Sequence, residues 1–407
     1  MNNYALFFIF STALLDSVGF GIIMPVLPGL LMDISGEGIS ASAVYGGWLM
    51  FVFAIAQFFF SPVMGNLSDA YGRRTVLLIS LFVSAINYVV MGVAETLALL
   101  FVGRIISGIG SSTLSTCNAC IADVTPEEKR AQNFGLMGAA FGMGFIIGPV
   151  IGGLLGEFGP RMPFIASAGL CLLNMIFGFF VLRETLPAEK RRPFDITRSN
   201  PLGTLMQLRQ FPVVIGIILV MFIYNMGHHV LPATWSYYSI EQFSWTPAEI
   251  GYSLAFIGVM MVLVQGFLIR WIIPRTGLRL AGIIGFSFTI IAFTGYAFAT
   301  SAWMLYLFMV PGALGAFAGP SMQGIASNQI GPSQQGELQG GLSSMMSLTS
   351  IISPLMMTQT FGYFTSAAAP VYFPGAAFAL AMLLTLAALV VFIRTTATLP
   401  AHALKKT

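Results

Sequence analysis

Apolar runs of about 20 residues or more, enough to cross a ~30 Å hydrocarbon core, fall at 5–31, 44–64, 75–94, 97–122, 134–156 and 163–182. After a longer polar interval the pattern resumes at 212–238, 249–272, 280–299, 302–325, 341–362 and 371–393. Backbone groups in lipid must find their partners within the chain, so each run is predicted to be a helix. The expected fold is an all-α integral membrane protein with twelve transmembrane helices.

The interval 183–211 divides these helices six and six, so a repeat is the natural next test. An offset of 205 residues places Gly72 on Gly277, Arg74 on Arg279, Gly135 on Gly340 and Pro149 on Pro354. One offset serving a loop and a span predicts two pseudo-symmetric six-helix bundles at 1–182 and 212–393. They are joined by a cytoplasmic loop, 183–211, and followed by a tail, 394–407. Gly-rich apolar sequence also gives chance matches, but several in register favour duplication. Parallel repeats of this kind place a substrate cavity at their interface and move by rocking about it.

Composition agrees. The chain is 57% hydrophobic and 8% charged, against about 25% charged in a soluble domain. A net charge of +3 gives no reason to expect nucleic acid as a partner. The positions of the charges say more. Arg73, Arg74, Lys129, Arg130, Arg183, Lys190, Arg191, Arg192, Arg198, Arg209, Arg270, Arg275, Arg279, Arg394, Lys405 and Lys406 all fall on one side of the predicted topology. Arg161 is opposite and Arg104 lies within a span. The positive-inside rule then puts both termini in the cytoplasm. Met1–Tyr4 lacks a basic segment, so the first span is expected to stay as an anchor. Cys117, Cys120 and Cys171 lie within spans, and CNAC has no second pair or nearby histidine. No metal site or cofactor is expected.

Asp16 is the one ionisable group between Ala5 and Met32. A charge at the bilayer centre costs roughly 3 kcal/mol or more, so it calls for a function or a partner. At ~1.5 Å per residue, Asp16 stands about 16–18 Å above the cytoplasmic edge and Arg104 about 20 Å above it. The two can share a level. Either Asp16 carries a proton or contacts substrate with Arg104 as its charge partner, or the two form a static buried ion pair. Changing their separation would change the proton affinity of Asp16. Asn87, Asn118 and Asn174 are further polar groups of the first half that can hydrate the cavity, and Asn87 and Asn118 are candidate substrate contacts.

The segment GNLSDAYGRRTVLL at 65–78 resembles the loop between the second and third helices of the major facilitator superfamily. GRIISGIGSS and GFIIGPVIGG strengthen the match. Within that superfamily, LLDSVGFGIIMPVLP, SPVMGNLSDAYGRR, IADVTPEEKRAQNFG, LPATW and GYSLAFIG are similar to the tetracycline-efflux branch of drug:proton antiporters. Gly65 and Gly72 are expected to allow tight turns near neighbouring helices. Arg73 and Arg74 anchor the loop, and Asp69 can pair with one of them or face a helix N-terminus. The resemblance implies a cytoplasmic gate built from these residues, with Asp123 as a further partner. It also assigns Arg104, in R-x-x-x-G with Gly108, to proton transfer.

Gly144, Gly148, Gly152 and Gly156 recur every four residues, with Pro149 and Gly153 beside them. Such a stripe lets a neighbouring helix approach closely, and Pro149 bends its own helix. In the resembled family the motif marks antiporters, which favours export. The second half offers His228, His229 and Gln265 as candidate substrate contacts, with outer-end polarity an alternative for the histidines. Trp235, Tyr237 and Tyr238 read as aromatic anchors at the membrane interface, with ligand recognition as the alternative.

Two positions depart from the resembled pumps. Met261 stands where they carry a histidine, and Thr289 where they carry an acid. The expectation is a proton-coupled antiporter, functional as a monomer, in a bacterial inner membrane. It exports a small amphipathic compound with the proton gradient as energy source. Its coupling is concentrated in the first half, and its second half offers a more apolar ligand surface. A proton symporter or a siderophore or metabolite transporter of the same fold is the alternative. A membrane-embedded enzyme is disfavoured because no nucleophile triad, metal cluster or phosphate loop is present.

Overall fold

The structure is a computed structural model that describes residues 3–195, 211–331, 334–397 and 399. Arg198, Arg209, Lys405 and Lys406 lie outside the described residues, as do the second part of the 183–211 loop and nearly all of the tail beyond Ala397. We number the membrane helices α1 (Asn3–Ser35), α2 (Ile39–Tyr71), α3 (Arg73–Val93), α4 (Leu97–Val124), α5 (Glu127–Gly156) and α6 (Met162–Val181). The second set is α7 (Pro212–Phe243), α8 (247–276), α9 (278–297), α10 (Ala302–Ser327), α11 (Gln335–Thr365) and α12 (Ala376–Thr396).

Ten continuous helical stretches are long and apolar enough to cross a membrane. One of them, Pro247–Ala297, holds two spans, because Gly277 leaves helical geometry at φ 77° and ψ 165°. The twelfth span, α11, is more polar, with Gln335, Glu337 and Gln339 in its first turns. Its 31 residues and internal Pro354 match the 30 residues and Pro149 of its repeat partner α5.

Helix edges differ from the hydropathy reading for a physical reason. The apolar pattern of the second span stops at residue 64, yet α2 continues to Tyr71. Its helical hydrogen bonds remain favourable beyond the hydrocarbon until Gly72 turns the chain at φ 101°. The expected loop at 65–74 is therefore a single residue. Gly65 makes no turn: it is inside α2, with open space where a side chain would stand.

Several spans are broken. In α4 the helix stops at Gly110 and restarts at Thr113. Gln57 donates to Ser111 Oγ at 3.0 Å, and the Ser80 and Ser112 hydroxyls meet at 2.7 Å. These side-chain hydrogen bonds gather around the interruption, while its backbone is partly satisfied by the Ser112 N–H donating to Gly110 O at 2.9 Å. In α7 the break is at His229. α8 contains a π-helical turn at Val264–Leu268, and α10 a 3-10 turn at Gly315–Phe317.

The chain forms two compact units. The first comprises Met1–Gly38, Trp48–Asn200 and Trp245–Ala255, and the second Ile39–Gly47, Pro201–Ser244 and Phe256–Thr407. Their boundaries are not simple halves: each contains the opening turns of a helix whose remainder lies in the other. In the first unit α1 packs on α5 and α6, and α3 on α4 and α6. In the second, α7 packs on α11 and α12. Phe286 of α9 there meets Phe392 of α12 at 5.2 Å between ring centroids.

Candidate functional site

The first unit holds the chemistry. α5 lies directly against α1 through the glycine stripe. A Cβ on Gly144 would stand 2.6 Å from Leu14 O, and one on Gly148 2.6 Å from Val18 O; one on Gly152 would overlap Ile22. Ser17 adds a hydrogen bond to Phe141 O at 2.6 Å. Gly153 faces the Pro247 backbone in the same unit, and Ala248 N–H donates to Glu157 at 3.2 Å. The stripe is thus a backbone-to-backbone seam.

At about 100° per residue, Asp16 lies on the opposite side of α1 from Leu14 and Val18. Asp16 is half-buried, and among the described residues it takes part in no hydrogen bond or ion pair. Tyr88 of α3 presses its hydroxyl onto Gly19, one turn along from Asp16. Tyr88 is in electrostatic range of both Asp16 and Arg104. The sequence reading missed it, since a tyrosine in an apolar span carries no signal of its own. The Arg104 guanidinium stands 5.9 Å from the centre of the Phe53 ring.

Asn87 is buried, and its Oδ1 accepts no hydrogen bond among the described residues. It lies beside Gly103, the residue before Arg104. Asn118 is half-buried on α4. Asn174 is not open to a ligand: it is tied to Thr12 of α1 at 3.1 Å.

At the loop end of the same unit a second cluster forms. The Arg73 guanidinium meets Asp69 at 2.5 Å and Asp123 at 3.2 Å, and donates to Ser68 at 3.2 Å. The ends of α2, α3 and α4 converge on one cation. The acid facing a helix N-terminus proves to be Glu184, not Asp69. It accepts the backbone N–H groups of Arg73 at 2.8 Å and Arg74 at 3.3 Å, and so supplies acceptors and negative charge where α3 begins. Gly72 has a second requirement here, since any side chain on it would overlap the Glu184 carboxylate. The available signal for Glu184 was its place in RETLP, the first acid after α6. Arg74 turns away and donates to Phe179 O at 2.6 Å.

The second unit differs. His228 is stacked on Tyr224 at 5.4 Å and 20°, and its Nδ1 has no hydrogen-bond partner among the described residues. Both histidines sit at the break in the middle of α7, so outer-end polarity is not their setting. The Tyr224 hydroxyl lies 3.5 Å from Thr289, which itself bonds Gly285 O at 3.0 Å. Met261 packs against the cluster of Val264, Ala313 and Phe317. Gln265 is exposed in the π-helical turn of α8. Trp235, Tyr237 and Tyr238 are not interface anchors. All three are buried; Trp235 and Tyr238 pack on Tyr296 and Phe378, and Tyr237 on Phe361. Aromatic residues at this position satisfy the core before they can serve a membrane surface.

The first unit thus combines polar groups inside apolar helices with an ionic cluster at its loop end. The profile of the Major Facilitator Superfamily matches residues 9–354. The chain belongs to that superfamily. It is 40% identical to the class C tetracycline resistance protein of Escherichia coli, over 88% of this chain and 89% of the other. It is 33% identical to the class B protein of Escherichia coli, over 86% of each. Among solved structures, this superfamily member matches a bacterial homologue of the human lysosomal transporter Spinster with TM-score 0.78, at 15% identity and 97% coverage of both chains. The human organic anion transporter MFSD10 gives TM-score 0.70 at 24% identity, covering 96% of this chain and 99% of the other. It is an integral membrane protein.

Proposed function

We propose that the protein is a proton-coupled antiporter that exports a small amphipathic compound, of the tetracycline-like kind its relatives' names indicate, by alternating access. One observation carries the reading: Asp16 is a carboxylate at membrane depth with no hydrogen-bond or ionic partner among the described residues. A charge there is costly unless it is paired or neutralised, so Asp16 is placed to hold a proton in one state and surrender it in another. α5 fixes one side of α1 through its glycines and leaves the Asp16 side clear of that seam, with Tyr88 of α3 against Gly19 one turn along. Arg104, within range of Tyr88, supplies the field that shifts proton affinity when hydration or distance changes.

The cluster of Asp69, Arg73 and Asp123 serves as the cytoplasmic gate. It fastens the ends of α2, α3 and α4 in one state and opens in the other, with Glu184 fixing the start of α3. Asn87, Asn118 and His228 offer polar contacts to an otherwise apolar ligand. His229 and Gln265 are less confined, at a helix break and on an exposed turn. The distribution of basic residues supports an orientation with both termini in the cytoplasm, the bacterial relatives support an inner-membrane setting, and the protein works as a monomer.

Inside-out vesicles loaded with acid test this. Tetracycline and unrelated amphipathic drugs are offered outside, and uptake is measured with and without the proton gradient. Gradient-dependent uptake with accelerated proton loss is the expected result. Uptake that proceeds with proton movement in the same direction as drug would replace antiport by symport.

A further inference from the structure

One cavity of the first unit belongs neither to Asp16 nor to the Arg73 ion pairs. It has a volume of about 530 Å³, opens to the surface at the loop end of α3 and α6, and is lined by Tyr71, Arg74, Phe179, Phe180, Arg183 and Arg191 together with Glu184. From this arrangement we infer that it is a binding site for the headgroup of an anionic phospholipid in the adjoining leaflet. The inference concerns binding alone and stands whether or not the nearby cluster is a gate.

Charge selects the ligand's head. Three guanidinium groups face one carboxylate, and that carboxylate is already engaged. Glu184 accepts from the N–H groups of Arg73, Arg74, Thr185 and Leu186 at 2.8–3.3 Å, and lies 3.8 Å from Arg191. Arg74 is held at Phe179 by a hydrogen bond to its carbonyl and by its ring at 5.3 Å; the Arg74 Nε has no acceptor among the described residues. The cavity is therefore short of anionic acceptors. Guanidinium groups match phosphate oxygens in geometry as well as charge.

The walls select a tail. Phe179 is 58% exposed and Phe180 79%, at the end of an apolar membrane helix, and Arg183 follows within one turn. The chain passes there from acyl-chain depth to headgroup depth. Free phosphate would satisfy the arginines and leave both phenylalanines uncovered. A phospholipid satisfies both, and basic pockets at the ends of membrane helices recognise such headgroups.

The test uses full-length protein in mixed micelles with dioleoylphosphatidylglycerol or dioleoylphosphatidylcholine, observed by native mass spectrometry. Phosphatidylglycerol should be retained about fivefold or more over phosphatidylcholine, and the double variant Arg183→Gln/Arg191→Gln should lower that ratio to about one. Equal retention of the two lipids by the unaltered protein, or an unchanged ratio in the variant, overturns the proposal. Photoactivatable phosphatidylglycerol gives a reading free of any folding defect. Its label should map to residues 71–75 or 179–191, and labelling confined to other segments overturns the site. Inorganic phosphate in excess should leave lipid labelling intact; abolition of labelling would make this a site for soluble phosphate.

Discussion

The two repeats share a backbone plan and differ in what they do with it. The turn after the second helix of each is made by glycine in the same conformation, Gly72 at φ 101° and Gly277 at φ 77°. In the first repeat, Arg73 beside that glycine gathers two carboxylates. In the second, Arg275 lies 4.3 Å from the centre of the Trp271 ring and bonds the Trp271 carbonyl at 2.8 Å, with no acid in the arrangement. The crossing of the first and fifth helices repeats this contrast. Gly148 brings backbone onto α1, whereas its counterpart Ser353 in α11 reaches the Met226 carbonyl of α7 with its hydroxyl at 2.5 Å. At the stripe's other positions α11 carries Thr349, Met357 and Phe361. The two repeats keep one path of the chain, because turns and crossings are backbone properties. The chemistry diverged, because side chains on a shared path are independently replaceable.

Asp16→Asn puts the chemistry of the first repeat to its hardest test. Gradient-driven accumulation in vesicles should fall to the level seen without a gradient, while ligand binding persists. Undiminished accumulation would remove the first repeat's claim to coupling.

Next is the pair of turns. Arg73→Ala leaves Asp69 and Asp123 facing each other without their cation. A loss of about 1.4 kcal/mol for the fastened state shifts its population about tenfold, so transport should drop by about that factor. Arg275→Ala removes an exposed cation–π contact of about 0.5 kcal/mol, and transport should change by no more than about threefold. Equal effects would show that the second repeat gates as much as the first.

The crossings come third, read by thermal unfolding of the purified protein in detergent. Gly148→Ala forces a methyl group against Val18 O, and overpacking of this kind costs about 1–3 kcal/mol. Ser353→Ala deletes one buried hydrogen bond, costing about 1 kcal/mol. A neutral Gly148→Ala would mean that the seam is looser than its geometry indicates.

The smallest effects concern the opposite ends. Asp33 at the end of α1 pairs with Arg161 at 3.4 Å, and Glu241 at the end of α7 accepts from Tyr372. Both are exposed, and each deletion should cost within about 1 kcal/mol. Their sensitivities should differ. The ionic contribution of the first fades with salt. Burial, then the Glu241 carboxylate, push the Tyr372 hydroxyl from 10.0 up to about 12. The folded state therefore holds this proton more tightly than the unfolded chain. The contribution is fully present below pH 10 and is lost as pH rises from 10 towards 12. Tyr372→Phe should remove that alkaline dependence of the unfolding midpoint, and Arg161→Ala should not.

Much of this was legible in the chain alone. Twelve spans, the 205-residue offset and a lone acid inside the first span follow from hydropathy, spacing and the cost of charge in lipid. These signals are local, or repeat at a fixed distance, so one sequence suffices to read them. The partners of Arg73, by contrast, were implied by the family resemblance, and the expected ion pair of Asp16 with Arg104 is not among the ion pairs of the described residues. Other features required the packed molecule. Glu184 caps a helix more than a hundred residues before it, Tyr88 lies on Gly19 one turn from Asp16, and Trp235 and Tyr238 turn inward onto Tyr296 and Phe378. Each depends on which helix faces which, and with apolar residues around much of every span the hydrophobic pattern does not mark a facing side. Only close packing chooses the face, and with it the neighbours of every polar group in the membrane.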